Sequence, residues 1–229
     1  DNTDGCEAGC PTVAGGTCHT CSDATTCTAV TCDANKFDTN SDATDGCETG
    51  CPTNECSTWT KDTSVGGTKT WSPVASSNDG TKLVAAVKGG NLWTSANSGN
   101  TWTVHAGGFE QWQSVASSSD GTKLVAAVYN GNLWTSTNSG STWSEGPSAT
   151  SAKAWYSVAS SSDGTKLVAV VKGPGQVWGS TDSGSTWTTI GGWLDWMSVA
   201  SSSDGTKLVA APHNGKLWIS ADSGSTWTE

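Results

Sequence analysis

The sequence predicts an all-β fold, and three observations lead to this prediction. A sequence unit recurs four times between Trp71 and Trp227, at intervals of about 41 to 43 residues. Each copy places Gly-containing turn signals between short apolar runs, as antiparallel hairpins do. No segment has the 3.6-residue apolar period of an amphipathic helix. A repeated unit of four antiparallel strands, apolar on both faces, is typical of a β-propeller blade.

The second copy shows how each strand is assigned. Trp112 to Ser117 forms the first strand, and Asp120-Gly121 predicts a type I′ turn, which needs positive φ at both residues. The second strand is the apolar run from Lys123 to Val128, and Asn130-Gly131 predicts another turn of the same type. The third strand is Leu133 to Ser136. The four predicted blades cover about 71–103, 112–144, 155–188 and 196–228.

Each copy ends in the pattern S-x-[DN]-S-G-x-T-W. Two copies carry Asp182 and Asp222 at the third position, and the other two carry Asn97 and Asn138. These segments resemble the Asp-box, or bacterial neuraminidase repeat, and the resemblance covers about 170 residues. It implies a β-propeller with each box in the turn between the third and fourth strands. There the short side chain caps its own turn, so the box is expected to be a folding element and not a catalytic site.

All nine cysteines precede the blades, in a segment with few apolar residues. Such a segment depends on disulfides to hold its shape, so residues 1–56 are predicted to form a disulfide-rich module. Its spacing loosely resembles furin-like and other growth-factor-receptor cysteine modules. The pairs Cys18–Cys27 and Cys21–Cys32 are expected, and the odd count leaves one thiol free or paired outside the chain. Zinc bound at Cys18-x-x-Cys21 is the alternative, with His19 nearby.

Two further features lie before the blades. Asp38, Asn40 and Asp42 alternate as the oxygen ligands of calcium loops do, so calcium is the one cofactor that the sequence suggests. The alternative is a solvated acidic turn. Residues 57–61 copy the end of a fourth strand and are predicted to pair with a blade edge of this chain or of a neighbouring one. The core of this assembly strand is Thr58, Trp59 and Thr60.

Composition excludes several classes of partner. The formal net charge is −10 and all eleven basic residues are lysine, so nucleic acid and anionic membranes are poor partners. No apolar stretch is long enough for membrane insertion. Disulfides need an oxidising compartment, so an extracellular protein is expected. Its many Ser and Thr residues leave O-glycosylation open.

Differences between the copies concentrate on one predicted face of the propeller. We call it the variable face, and it consists of the turns between second and third strands and the connections between blades. A binding site is expected there if the protein has one, the alternative being drift in unconstrained loops. Its candidate ligand-binding residues are His105, Phe109, Glu110, Tyr129, Asn130, Trp193, Asp195 and His213.

The sequence favours a non-enzymatic role. Sialidases hold the substrate carboxylate with a triad of arginines, and this chain has no arginine. Glycosidases that use two acids need a pair facing a cleft, and the non-repeated acids of the variable face are Glu110, Glu145 and Asp195. We expect a structural or adhesive repeat protein, a surface-filament subunit that associates with neighbouring chains. A lectin-like binder of glycans, with exposed rings such as Trp193, is the alternative.

The cysteine module should be sensitive to reductant because it has cysteines in place of an apolar core. Reducing the protein should unfold residues 1–56 and leave the tryptophan fluorescence of the blades nearly unchanged. Circular dichroism and fluorescence recorded during a titration with dithiothreitol check this. Simultaneous loss of both signals would contradict the division into two domains.

Overall fold

The computed structural model describes residues 16–23, 26–32, 61–147, 150 and 152–229. Contacts between Cα atoms divide the chain into two units, Asp1–Lys61 and Asp62–Glu229. The described part of the first unit is an antiparallel hairpin of β1 (Gly16–Asp23) and β2 (Thr26–Cys32). Among the described residues, no helix is long and apolar enough to cross a membrane.

The register of the hairpin bears on the disulfide prediction. Cys21 lies opposite Cys27, whereas Cys18 lies opposite Val30 and Cys32 lies opposite Gly16. Directly opposite Cα atoms are about 4.5–5.5 Å apart, which is within the range of a disulfide. The cysteine side chains lie outside the described part of the structure, so the pairs Cys18–Cys27 and Cys21–Cys32 stay predictions.

The second unit consists of four consecutive blades of antiparallel strands, as the sequence predicts. The first blade contains β3 (Trp71–Ser76), β4 (Leu83–Val87), β5 (Gly90–Ser95) and β6 (Thr103–Glu110). The second contains β7 (Trp112–Ser117), β8 (Leu124–Gly131), β9 (Leu133–Ser136) and β10 (Ser144–Glu145). The third contains β11 (Lys153–Ser160), β12 (Leu167–Val171), β13 (Gly175–Ser180) and β14 (Thr188–Leu194). The fourth contains β15 (Trp196–Ser201), β16 (Leu208–Pro212) and β17 (Trp218–Ser220), with a bridge from Ile219 to Thr228 in place of a full fourth strand.

Two local predictions were wrong. The Asp-Gly turns are not of type I′, because Gly121 has a φ of 65° but Asp120 is not among the residues with positive φ. Likewise only Asn130, with a φ of 58°, takes a left-handed conformation in the Asn130-Gly131 turn. The connections after the first and third blades are not loops either. They continue the fourth strands β6 and β14, which pair with β5 and β13 up to Glu110 and Leu194, with shifts of register on the way.

The core lies between blades and not within them. Apolar residues of β4 and β5 in the first blade pack against residues of β7 and β8 in the second, and the same contact recurs at the next two junctions. At each junction a tryptophan that opens the first strand of the later blade is buried. These residues are Trp112, Trp155 and Trp196. Each also meets the tryptophan of its own third strand edge to face, with ring centroids 6.0–6.4 Å apart in these three blades.

Hydrogen bonds repeat across the same junctions. The Ser114 hydroxyl accepts a bond from the Val158 amide at 3.1 Å, and Ser157 accepts from Val199 at 3.2 Å. Nearer the Asp-Gly turns, the amides of Asn78, Ser119 and Ser162 each donate to the carbonyl of the equivalent residue in the next blade at 2.7 Å. In the first set the later blade always supplies the donor, and in the second set the earlier blade always supplies it.

The Asp-Gly turns are held by their own side chains. The Asp120 carboxylate accepts bonds from the Ser118 hydroxyl at 2.6 Å and from the Thr122 amide at 2.9 Å. These bonds favour the charged form, so they lower the pKa of Asp120 to about 2. Equivalent bonds lower the pKa of Asp79 and Asp163 to about 2 as well. The recurring aspartates therefore stabilise turns, as the sequence suggested.

The S-x-[DN]-S-G segments lie between the third and fourth strands. In the second blade the Ser136 hydroxyl accepts a bond from the Gly140 amide, and Asn138 Oδ1 accepts one from the Thr142 amide, both at 2.9 Å. Asp182 makes the same bond to Thr186 in the third blade. The Ser139 amide also reaches the carbonyl of Thr122, so this turn and the Asp-Gly turn share one face of the propeller.

Acid should destabilise the blades through the turn carboxylates. The pKa of Asp120 falls from the ordinary 3.8 to about 2 on folding, so its contribution is complete above about pH 4 and is lost between about pH 4 and 2. Asp120→Asn keeps an acceptor oxygen without the charge, and should reduce the pH dependence of the unfolding midpoint in that window. Thermal unfolding between pH 2 and 5 measures it. Glu229→Gln is the control, because Glu229 is held only by Lys216 at 3.6 Å. Wild-type pH dependence in Asp120→Asn would contradict the prediction.

Candidate functional site: two open end faces and a cleft on the variable face

The first and last blades expose surfaces that are buried everywhere else. We call the surface of a blade that contacts the preceding blade its leading face, and the one that contacts the following blade its trailing face. On the leading face of the first blade, Trp71 is 37% exposed and Val74 is 70% exposed, whereas their equivalents in the other blades are buried. On the trailing face of the fourth blade, Leu217 is 56% exposed, although the equivalent Leu92 and Leu133 are fully buried. Both end faces of the four described blades are therefore exposed.

Each end face also carries either the donor or the acceptor of a hydrogen bond that repeats between blades, without its partner among the described residues. Ser198 is equivalent to Ser114 and Ser157, but no described residue donates to its hydroxyl. Val74 is equivalent to the donors Val158 and Val199, and no described side chain accepts a bond from its amide. A free acceptor thus lies on the trailing face of the fourth blade and a free donor on the leading face of the first.

The Asp-Gly turns also show that the leading face of the first blade is exposed. A Cβ added to Gly121 would lie 2.7 Å from Cβ of Lys82 in the preceding blade, so this turn is in close contact with its neighbour. A Cβ added to the equivalent Gly80 of the first blade would meet nothing within 4 Å. This turn of the first blade consequently has no close neighbour among the described residues on its leading face.

A cleft of about 370 Å³ crosses the first three blades on the variable face. Its walls are six side chains, Lys88, Gln111, Gln113, Tyr129, Tyr156 and Lys172. Lys88, Tyr129 and Lys172 occupy equivalent positions after the second strand of their blades. The amide of each donates to the carbonyl of the residue just before the first-strand tryptophan of its blade, Thr70, Gln111 or Ala154, at 2.8–2.9 Å. The repeat thus brings one variable position from each of three blades to a common site.

The cleft is positively charged in an acidic protein. Lys172 lies over the Tyr156 ring, with Nζ 4.7 Å from the centroid, and is half-buried. The two ion pairs among the described residues are His213–Asp195 and Lys216–Glu229, so neither lysine of the cleft is paired with a carboxylate there. No carboxylate is among the residues that form the walls.

Two of the predicted site residues meet beside the cleft. His213 Nδ1 lies 3.9 Å from Asp195 Oδ2, and the His213 amide donates to the Asp195 carbonyl at 2.6 Å. The Asp195 Oδ1 atom accepts a bond from the Gly173 amide at 2.6 Å. Both side chains remain partly exposed. Asp195 thus fixes the turn that follows Lys172.

The other predicted residues are dispersed. The His105 ring lies within hydrogen-bond distance of the Thr94 hydroxyl at 2.6 Å inside the first blade, and burial lowers its pKa. The carbonyl of Glu110, at the end of β6, accepts a bond from the Gly89 amide, and its carboxylate is not part of the cleft wall. Tyr129 forms part of the wall, and Asn130 is exposed at the turn beside it. The side chain of Phe109 lies outside the described residues.

Trp193 is 68% exposed, in agreement with its place outside the repeated positions. It borders a separate groove of about 180 Å³ between the third and fourth blades. Three other tryptophans form part of this groove, Trp196, Trp218 and Trp227. The groove is therefore predominantly aromatic.

The remaining predicted sites cannot be placed. The calcium candidates Asp38, Asn40 and Asp42 and the assembly strand Thr58, Trp59 and Thr60 lie outside the described residues. Within the described ranges, no group of three or more His, Cys, Asp or Glu side chains is arranged to hold a metal ion.

Comparisons with known proteins show the fold. No protein-family model and no curated protein matches the sequence. Among solved structures, an ancestral GH74 enzyme matches with a TM-score of 0.57 and 20% identity, over 71% of this chain and 24% of that one. YCF48 from Cyanidioschyzon merolae matches with a TM-score of 0.53 and 15% identity, over 70% and 55%. The computationally designed Ika4 protein matches with a TM-score of 0.56 and 12% identity, over 69% and 94%.

The chain is thus similar to β-propeller proteins, and it spans about a quarter of the GH74 enzyme and about half of YCF48. At these identities the likeness shows an all-β propeller architecture and nothing about activity.

Lys88 and Lys172 lie in turns of the variable face, where the sequence predicted any binding site, but they and Tyr156 were not among the candidate ligand-binding residues. The sequence marks Lys88 and Lys172, because the residue at this position differs between copies of an otherwise uniform repeat. Tyr156 had the same signal, since the equivalent residues are Ser72, Gln113 and Met197. The open end faces gave no signal, because Val74 and Leu217 occupy core positions of the repeat.

Proposed function

We propose that this protein is a non-enzymatic extracellular repeat protein whose blades associate head to tail between copies of the chain, as in a surface filament. The observation that carries the proposal is the complementarity of the two open end faces. The trailing face of the fourth blade presents the apolar positions that elsewhere receive a first-strand tryptophan. The leading face of the first blade presents such a tryptophan, Trp71.

The complementarity includes polar groups. The Ser198 hydroxyl lacks the donor that Val74 supplies in the equivalent register, and the Ser203 amide lacks the acceptor that the Asn78 carbonyl supplies. The occupant that fits both faces is therefore another blade of the same repeat, and we propose that a second copy of the chain supplies it. Because one face meets the other and not itself, the contact is heterologous, and it forms a ring if the rotation closes and a filament if it does not.

Exposed apolar area makes such a contact favourable. Trp71, Val74, Leu217 and Ile219 are large apolar side chains, and exposed apolar patches of this kind mark association surfaces. The extracellular setting rests on the density of cysteine before the blades, and the non-enzymatic role rests on the absence of arginine and of an acid pair in the cleft wall.

Two single-end variants test the proposal. Val74→Asp blocks the leading face and Leu217→Asp blocks the trailing face, and each residue is exposed within one chain, so both variants should fold. The wild type should grow in mass with concentration in sedimentation velocity, and each variant alone should stay monomeric. An equimolar mixture retains one competent leading face and one competent trailing face, so it should form a one-to-one dimer and nothing larger.

Trp193→Asp is the matched control, because Trp193 is a large exposed apolar residue on β14 of the third blade, which contributes to neither end face. It should assemble as the wild type does, and unfolding curves of all variants check the fold. A wild type that stays monomeric at high concentration would overturn the proposal. Assembly of either single variant by itself would do so too. Electron microscopy of the wild type distinguishes a ring from a filament.

Glycan binding is a second candidate function, favoured by the exposed Trp193 beside the aromatic groove. Large rigid rings that are apolar and carry a polar N–H suit the mixed surface of a sugar. A neutral oligosaccharide should quench the tryptophan fluorescence of the wild type and not that of Trp193→Ala. Trp71→Ala removes another exposed tryptophan, away from the groove, and should respond as the wild type does. Equal responses from all three proteins would exclude this groove.

A further inference from the structure

We propose that the cleft formed by Lys88, Gln111, Gln113, Tyr129, Tyr156 and Lys172 binds a segment of an acidic polysaccharide, with uronate carboxylates held by the two lysines. The site lies on the first three blades and does not use either end face. It is also separate from the groove at Trp193. The proposed ligand site is therefore additional to head-to-tail assembly and does not depend on it.

The charge of the cleft selects an anion. The protein carries a net charge of −10, yet two lysines lie in this wall with no carboxylate among its members. Asp195, which bonds to the turn that follows Lys172, is engaged with the Gly173 amide and His213. Lysine binds carboxylates as a compact point charge. Because Lys88 and Lys172 come from the first and third blades, they suit a ligand with more than one carboxylate along its length.

The rest of the wall selects a ligand rich in hydroxyl groups. Gln111 and Gln113 each offer two amide donors and a carbonyl acceptor, and the tyrosine hydroxyls both donate and accept. Tyr129 and Tyr156 also supply ring faces on which a flat apolar surface can lie. A uronic-acid chain combines carboxylates, hydroxyls and the C–H faces of its rings. The volume of about 370 Å³ lies within the usual range of ligand sites and fits a short segment.

Contacts within the protein order part of the site. Lys172 packs on the Tyr156 ring, and backbone bonds fix the turns that carry Lys88, Tyr129 and Lys172. Binding therefore orders few additional groups, which favours affinity. An electrostatic contact at an exposed cleft should also weaken as salt is added.

Isothermal titration with galacturonic-acid trimer in calcium-free buffer tests the proposal, with a neutral galactose trimer and an acidic peptide as comparisons. The acidic trimer should bind, and the neutral trimer should bind at least tenfold more weakly. Lys88→Gln and Lys172→Gln should each weaken binding by about tenfold, as expected for loss of a charged hydrogen bond. Lys88→Arg should retain binding. Tyr156→Ala should weaken it, whereas Tyr156→Phe should weaken it less.

Lys216→Gln is the control, because it makes the same charge change in the fourth blade outside the cleft. It should bind the acidic trimer as the wild type does. Three results would overturn the proposal. They are absence of binding by the acidic trimer, equal affinity of Lys172→Gln and the wild type, and tighter binding of the acidic peptide than of the trimer.

Discussion

The burial of a first-strand tryptophan against the preceding blade is the interaction on which the rest of the structure depends. Trp112, Trp155 and Trp196 are buried between blades, and aliphatic residues of two neighbouring strands surround each ring. The individual sheets have little core of their own. A blade is therefore stabilised chiefly by its neighbours, as in other repeat architectures, where each repeat contacts only the adjacent ones.

This dependence explains why the ends of the array matter. Val74 and Leu217 have the chemistry of core residues but are exposed, and the hydrogen-bonding groups around them lack the partners that their equivalents have. The surface that would bind another copy is thus the same surface that holds the blades together. By contrast, the side chains of the cleft at Lys88 and Lys172 do not belong to the apolar cores of the junctions, so the fold leaves them free to differ between blades.

The blades and their order were predictable because the repeat is explicit and Gly-containing turns separate the strands. The type of the turn at Asp120 was not predictable from the sequence. Bonds from Ser118 and Thr122 to the Asp120 carboxylate decide the backbone conformation of this turn. The extension of β6 and β14 into the connections was missed, since glycine-rich segments pair with β5 and β13 only once those strands are in place. The exposure of Val74 depends on the absence of a neighbour, which residue type does not encode. Of the cleft residues, only Tyr129 was among the predicted ligand-binding residues, because the sequence alone does not show which variable positions lie together in the folded propeller.

Amide hydrogen exchange at Val74 and Ser203 tests the central claim most directly, because both amides lie at the open ends and both should gain an acceptor on association. The account predicts that their exchange slows as protein concentration rises, towards the rates of the equivalent Val158 and Ser162, which are bonded within the array. The amides of Val158 and Ser162 should not change. Exchange at Val74 and Ser203 that stays fast at every concentration would contradict the account.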